Sequence, residues 1–241
     1  MSAETPWHAF YQGDLQSLHA LVAAPAAFLL LLLARPFRAS DPQARFVVRW
    51  AVAFALETIL DPIATGPLSR TLPDGAKQAV MVLFVLLGDF RVWWLVLALA
   101  LGPERRARAS LLGAVPTCAV PIFAYLCLVR LRVLWPELPG QGLWLLHETS
   151  FLALALAVRG PLLRRLAPGA GAAERRLARA LLAYAAVYYA LWAGADLLIL
   201  AGVDAGWALR IVPNQLYYAF TVPFVYFRAF GLRRAGGLRP G

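Results

Sequence analysis

Gln78–Leu101 reads QAVMVLFVLLGDFRVWWLVLALAL, and this stretch decides the fold. Twenty-four residues at about 1.5 Å each reach about 36 Å, enough to cross about 30 Å of hydrocarbon. Only two side chains in it are charged, Asp89 and Arg91. A charge at the centre of a bilayer costs about 2.5–3.5 kcal/mol on insertion scales, so each needs a protein or water partner. The stretch therefore predicts a membrane helix with a polar obligation at its middle.

Apolar runs of similar length recur on both sides. We expect an all-α polytopic membrane protein of about seven spans in one transmembrane helical domain, residues 1–241. The spans are 15–34, 46–66, 78–101, 110–134, 142–159, 178–201 and 207–230. Pro and Gly punctuate the joins, as in Pro73-Asp74-Gly75, Gly102-Pro103 and Pro168-Gly169. The chain is 61% hydrophobic with a mean hydropathy of +0.65, more apolar than soluble domains. No Lys or Arg precedes the first run, which points to a retained helix and not a cleaved signal peptide.

The net charge of +10 invites a nucleic-acid reading, but the arginines cluster between apolar runs. Arg35, Arg38, Arg45, Arg49, Arg105, Arg106, Arg108, Arg159, Arg164, Arg165, Arg175, Arg176, Arg179, Arg228, Arg233, Arg234 and Arg239 fall in alternate joins. The other joins hold only Arg70, Lys77, Arg130 and Arg132. That asymmetry predicts an outside N-terminus and an inside C-terminus, and no nucleic-acid partner. One lysine against 22 arginines suggests a GC-rich genome. The expected location of the multi-pass chain is a cell membrane, a prokaryotic inner one. Trp7, Trp50, Trp135, Trp144 and Trp207 stand near span ends, as an interfacial belt would have them. Cys118 and Cys127 are nine residues apart on one helix, too far for a disulfide.

Five carboxylates fall inside spans: Glu57, Asp61, Asp89, Glu148 and Asp196. With the orientation above, their depths below the outer surface are about 14, 8, 16, 9 and 5–8 Å. Arg210 and Asn214 lie at matching depth, and so do His19 and His147. The polar residues thus converge on the outer half of the bundle, and the inner half is nearly all Leu, Ala, Val and Phe. Trp50, Glu57 and Asp61 share one helix face, as do Tyr188, Trp192 and Asp196. Arg210, Asn214, Tyr217, Tyr218 and Thr221 form a stripe on the last span. Asp89 and Arg91 are two apart and face opposite ways, so both find partners only if their helix is surrounded. Pro62 frees the carbonyl of Thr58 and favours a kink.

Two arginines cannot neutralise five acids, which points to a functional cavity; structural pairing of buried acids is the plainer alternative. We expect Glu57, Asp61 and Asp89 as an acid–base or metal-binding core, since neighbouring buried carboxylates have their proton affinities pushed apart. Arg91, Glu148, Asp196, Arg210, Asn214 and Tyr217 would bind or orient substrate. A divalent metal on Glu57, Asp61, Asp89, His19 or His147 is a further candidate. Retinal is excluded, because the last span has no lysine for a Schiff base. The expected activity is hydrolase-like, on a membrane lipid or another small lipid-like substrate. The alternatives are a small transporter with a proton or cation relay, and an accessory subunit. No motif speaks to oligomeric state. The run Leu86-Leu87-Gly88-Asp89 resembles a Gly-Asp element of lysoplasmalogenase-type membrane hydrolases; the likeness spans four residues of 241 and assigns no family.

Overall fold

The computed structural model describes residues 5–34 and 41–231, and within them the chain is all-helical with no strands. The helices are α1 (Pro6–Gln12), α2 (Ala20–Ala34), α3 (Pro42–Ile63), α4 (Asp74–Leu101), α5 (Arg106–Leu134), α6 (Gln141–Ala157), α7 (Leu163–Leu166), α8 (Ala172–Leu200), α9 (Ala205–Asn214) and α10 (Thr221–Phe230). A π-helical turn over Leu15–His19 leads into α2, and another over Gln215–Phe220 joins α9 to α10.

Five helical stretches are long and apolar enough to cross a membrane: Leu15–Ala34, Asp74–Leu101, Pro103–Leu134, Gln141–Leu166 and Ala172–Leu200. The other two expected spans are helical but of different character. Helix α3 has 22 residues and carries Arg45, Arg49, Glu57 and Asp61. The last span is divided into α9, the π turn and α10, and it carries Arg210. Polar residues that build a site are the ones that dilute a hydropathy signal. Of the basic residues that set the expected orientation, Arg35, Arg38, Arg233, Arg234 and Arg239 lie outside the described residues.

Helix α8 is central, packing against α4, α6, α9 and α10. Its Leu181, Leu182, Ala185, Tyr188 and Tyr189 are buried in a core shared with Trp50 and Ala55 of α3, Leu95 and Leu99 of α4, and Phe151 and Ala155 of α6. Small residues allow close approach. A methyl group added to Gly206 of α9 would stand 2.8 Å from the Ala195 carbonyl oxygen of α8. Helices α2 and α5 are the least covered, with Leu30, Leu33, Leu111, Val115 and Ile122 exposed. An apolar exterior of this kind suits hydrocarbon, not water.

Both ends carry polar connections. Arg106, at the start of α5, donates to the Pro42 carbonyl and to Gln43 Oε1, each at 3.0 Å, so two basic joins sit side by side. At the opposite end Arg70 pairs with Asp14 at 2.7 Å. Where Pro and Gly interrupt helices, side chains take up the freed carbonyls. After Pro62, Thr65 Oγ1 donates to the Asp61 carbonyl at 2.8 Å, and Ser69 Oγ donates to those of Thr65 and Gly66. Trp50 is no belt residue: it is buried, and its Nε1 donates to the Arg91 carbonyl at 3.2 Å. Cys118 and Cys127 are free thiols.

Candidate functional site

Helix α4 is surrounded, and that allows Asp89 and Arg91 to serve two different centres. Both side chains are buried. Arg91 turns toward α3 and the π turn. Its Nη1 meets Glu57 Oε2 at 3.2 Å and Thr58 Oγ1 at 3.0 Å, and its Nη2 donates to the Tyr217 carbonyl at 2.5 Å. The guanidinium lies 4.2 Å from the centre of the Tyr217 ring. The π turn explains the carbonyl contact. The turn lies between Pro213 and Pro223, and side chains reach the carbonyls inside it. Tyr184 Oη and Thr221 Oγ1 donate to Leu216 O, and Arg91 donates to Tyr217 O.

Asp89 points the other way, toward α6 and α8. Tyr189 Oη donates to its Oδ1 at 2.5 Å. His147 Nε2 stands 3.2 Å from its Oδ2, at ion-pair range but off line for a hydrogen bond. Edge-on contacts with Trp144 and Phe151 hold the His147 ring. A third centre joins α6, α8 and α9. Arg210 Nη1 donates to Asp196 Oδ1 at 2.6 Å, and Nη2 reaches Glu148 Oε1 at 3.3 Å. Gln141 Nε2 also donates to Asp196 Oδ1, at 2.7 Å. Among the described residues, the second oxygens of Glu148, Asp196 and Asp89 are buried and accept no hydrogen bond.

Asp89, His147, Glu148 and Arg210 meet on one cavity of about 470 Å³, with Asn214, Tyr217 and Tyr218 of the last helical stretch. Trp144, Tyr189, Trp192 and Trp207 supply aromatic walls, and Tyr11 and Gln12 of α1 close it from the N-terminal side. Asn214 is fixed between Trp192 Nε1, which donates to its Oδ1 at 2.8 Å, and Tyr11 Oη, which accepts from its Nδ2 at 3.1 Å. Beside the cavity is a second pocket of about 160 Å³ between α4, α5 and α6. Its lining is almost wholly apolar: Val82, Leu86, Pro121, Tyr125 and Leu143 with Gln78. The two pockets share Met81, Val85, Trp144 and His147.

The expected core of Glu57, Asp61 and Asp89 is thus divided. Asp89 lies on the cavity wall. Glu57 and Asp61 lie behind it, Glu57 on Arg91 and Asp61 beside Thr65 Oγ1 at 3.3 Å. The physical reason is the two-residue offset between Asp89 and Arg91, which sends α3's acids to the arginine's side of α4. Asp196 sits just behind the wall on Arg210. His19 is apart from all three centres, exposed, with its Nδ1 2.9 Å from the Asp14 carbonyl. Among the described residues no group of three or more His, Cys, Asp and Glu side chains is arranged to hold a metal ion.

The sequence reading did not single out Tyr11, Gln141, Tyr189 and Trp207 as site residues. Tyr189 had a signal, since it stands seven residues before Asp196 and so shares its face. Tyr11 and Gln141 had none, because only packing between distant segments brings them in. No protein-family model, curated protein or solved structure matches this chain.

Proposed function

We propose that the chain is a seven-span membrane protein with an outside N-terminus and an inside C-terminus, and that it is a hydrolase-type intramembrane enzyme acting on a lipid or other apolar substrate. The observation that carries this reading is His147. It stands 3.2 Å from Asp89 and belongs to both the polar cavity and the apolar pocket. A substrate with its tail in the pocket and its head in the cavity has its head–tail junction at that imidazole. The acid–base core is then Asp89 with His147, not Asp89 with Glu57 and Asp61.

In this reading Nε2 faces Asp89, and Nδ1 is the nitrogen that works on substrate. It takes a proton from water, the hydroxide attacks the carbonyl carbon of an ester, and the same proton passes to the departing oxygen. Asp89 orients the ring and balances its charge while the proton is held, and Tyr189 fixes Asp89. Asn214 positions the head group, and Arg210 holds Glu148 in place on the cavity wall. Glu57, Asp61 and Arg91 act as scaffold, with Arg91 anchoring the π turn that presents Tyr217. Neither metal nor retinal enters the scheme. The membrane lipid is the partner, and a prokaryotic inner membrane is the proposed location.

The adjacency of the two basic joins through Arg106 supports the orientation. A C-terminal reporter active only outside the cell would contradict it. The chemistry is tested by hydrolysis of a panel of lipid esters by purified protein in lipid discs. Wild type should release fatty acid, and Asp89→Asn and His147→Gln should lose at least about 100-fold, the usual weight of an acid–base group. Equal rates in all three proteins would remove the reading.

A further inference from the structure

The proposed site leaves open what head group it takes, and the cavity wall speaks to that. Its cation, Arg210, has both terminal nitrogens engaged, one by Asp196 and one by Glu148. Only its Nε is without a partner among the described residues, and an anionic head group would have to displace a buried carboxylate to reach either terminal nitrogen. The acceptors have spare capacity. Among the described residues Glu148 Oε2 and Asp89 Oδ2 accept no hydrogen bond, on side chains only 3% and 2% exposed, and Asp89 Oδ2 has His147 Nε2 at 3.2 Å beside it. Two carboxylates on the wall, with Asp196 behind it, outnumber the cavity's guanidinium, Arg210. Much of the remaining wall is aromatic, with Trp144, Tyr189, Trp192, Trp207 and Tyr217 around one space. Ring faces and carboxylates together recognise organic cations, and indole faces do so best.

We propose that the cavity selects an amphiphile whose head is an organic cation, an amine or quaternary ammonium, with its alkyl chain in the pocket between α4, α5 and α6. The assignment deepens the hydrolase reading, since it names that enzyme's substrate class and rests on the same two joined pockets. Glu148 and Asp89 supply the charge, the tryptophan and tyrosine rings enclose the head, and the chain passes Met81 and Val85 toward the bilayer. The chemistry distinguishes this from head groups recognised through arginine or lysine, such as phosphates and sulfates.

The test uses a ligand with no cleavable bond, so that its outcome is independent of hydrolysis. Decyltrimethylammonium, decyl sulfate and decyl maltoside are titrated against the purified full chain in maltoside detergent. Tryptophan fluorescence is the readout, because Trp144, Trp192 and Trp207 line the cavity. The expected result is a saturable change with the cation alone, competed by tetramethylammonium. Glu148→Gln should weaken it about tenfold, equivalent to about 1.4 kcal/mol. Asp89→Asn should weaken it similarly, and it serves as the second variant if Glu148→Gln does not fold. Equal binding of all three amphiphiles would show that only the tail is read, and would overturn the head-group assignment. No saturable binding of the cation, or binding unchanged in both variants, would overturn it as well. Either failure would leave measured ester hydrolysis standing; cation binding without hydrolysis would instead remove the enzyme reading and keep a binding protein.

Discussion

Arg210 holds two carboxylates at once, Asp196 Oδ1 at 2.6 Å and Glu148 Oε1 at 3.3 Å, and so ties α9 to α8 and α6. Removing one member of a buried ion cluster leaves the others uncompensated, at about 3–5 kcal/mol. Arg210→Met should therefore lower the thermal midpoint in detergent sharply. Adding Glu148→Gln and Asp196→Asn to the same chain should recover much of it, because the orphaned charges are gone. A single variant as stable as wild type would show that the cluster does not join the helices.

Gly206 is predicted to be intolerant of any side chain. A Cβ there would lie 2.8 Å from the Ala195 carbonyl oxygen and 2.9 Å from the Ile199 amide nitrogen, both backbone atoms that cannot rotate away. Gly206→Ala should separate α8 from α9 and cost about 1–3 kcal/mol, as overpacking does. At Gly88 the obstruction is a side chain, since the added methyl would overlap the Tyr217 hydroxyl. Gly88→Ala should be destabilising alone and rescued by Tyr217→Ala, whereas no side-chain substitution should rescue Gly206→Ala. Thermal melts of the four proteins check this.

Helix α1 forms one side of the cavity and has no buried residues. Asp204 accepts from the Thr5 hydroxyl and, at 3.2 Å, from the Trp7 amide, and the His8 ring lies 4.2 Å from that of Trp207. Exposed polar contacts contribute little to global stability. Asp204→Ala should thus leave the melting temperature within about 2 °C. Hydrogen exchange over residues 5–12 should quicken markedly. Unchanged exchange there would mean that the aromatic contacts and the Asn214–Tyr11 hydrogen bond hold α1 without Asp204.

Metal dependence separates the divided site from the carboxylate core expected from sequence. With Glu57 on Arg91 and Asp89 on Tyr189 and His147, no three ligands converge among the described residues. Added Mg²⁺, Mn²⁺ or Zn²⁺ should give the same thermal shift in wild type as in Glu57→Gln and Asp61→Asn. A shift seen in wild type and lost in both variants would restore the carboxylate core.

The helices were legible because hydropathy and Pro/Gly punctuation are local, and each expected span falls on helical residues. The convergence of Asp89, Glu148, Arg210 and Asn214 was legible too, since depth follows from residue count once orientation is assumed. What the sequence hid was lateral. Depth cannot say which side of α4 an acid occupies, so Glu57 and Asp61 seemed to join Asp89 when α4 separates them. His19 matched the others in depth alone, and its exposed direction depends on how Gly13 and the following π turn set the first helical stretch. Nor could the pocket between α4, α5 and α6 be read from residues that look the same whether they face lipid or one another.

Photo-crosslinking decides whether the polar cavity and the apolar pocket form one lipid site meeting at His147. A lipid amine carrying a diazirine near its head–tail junction is irradiated with the protein in lipid discs, and the labelled residues are read by mass spectrometry. The prediction is labelling concentrated on Met81, Val85, Trp144 and His147, competed by unlabelled amphiphile. Labelling confined to the exposed faces of α2 and α5, at residues such as Leu30, Leu33 and Leu111, would contradict it.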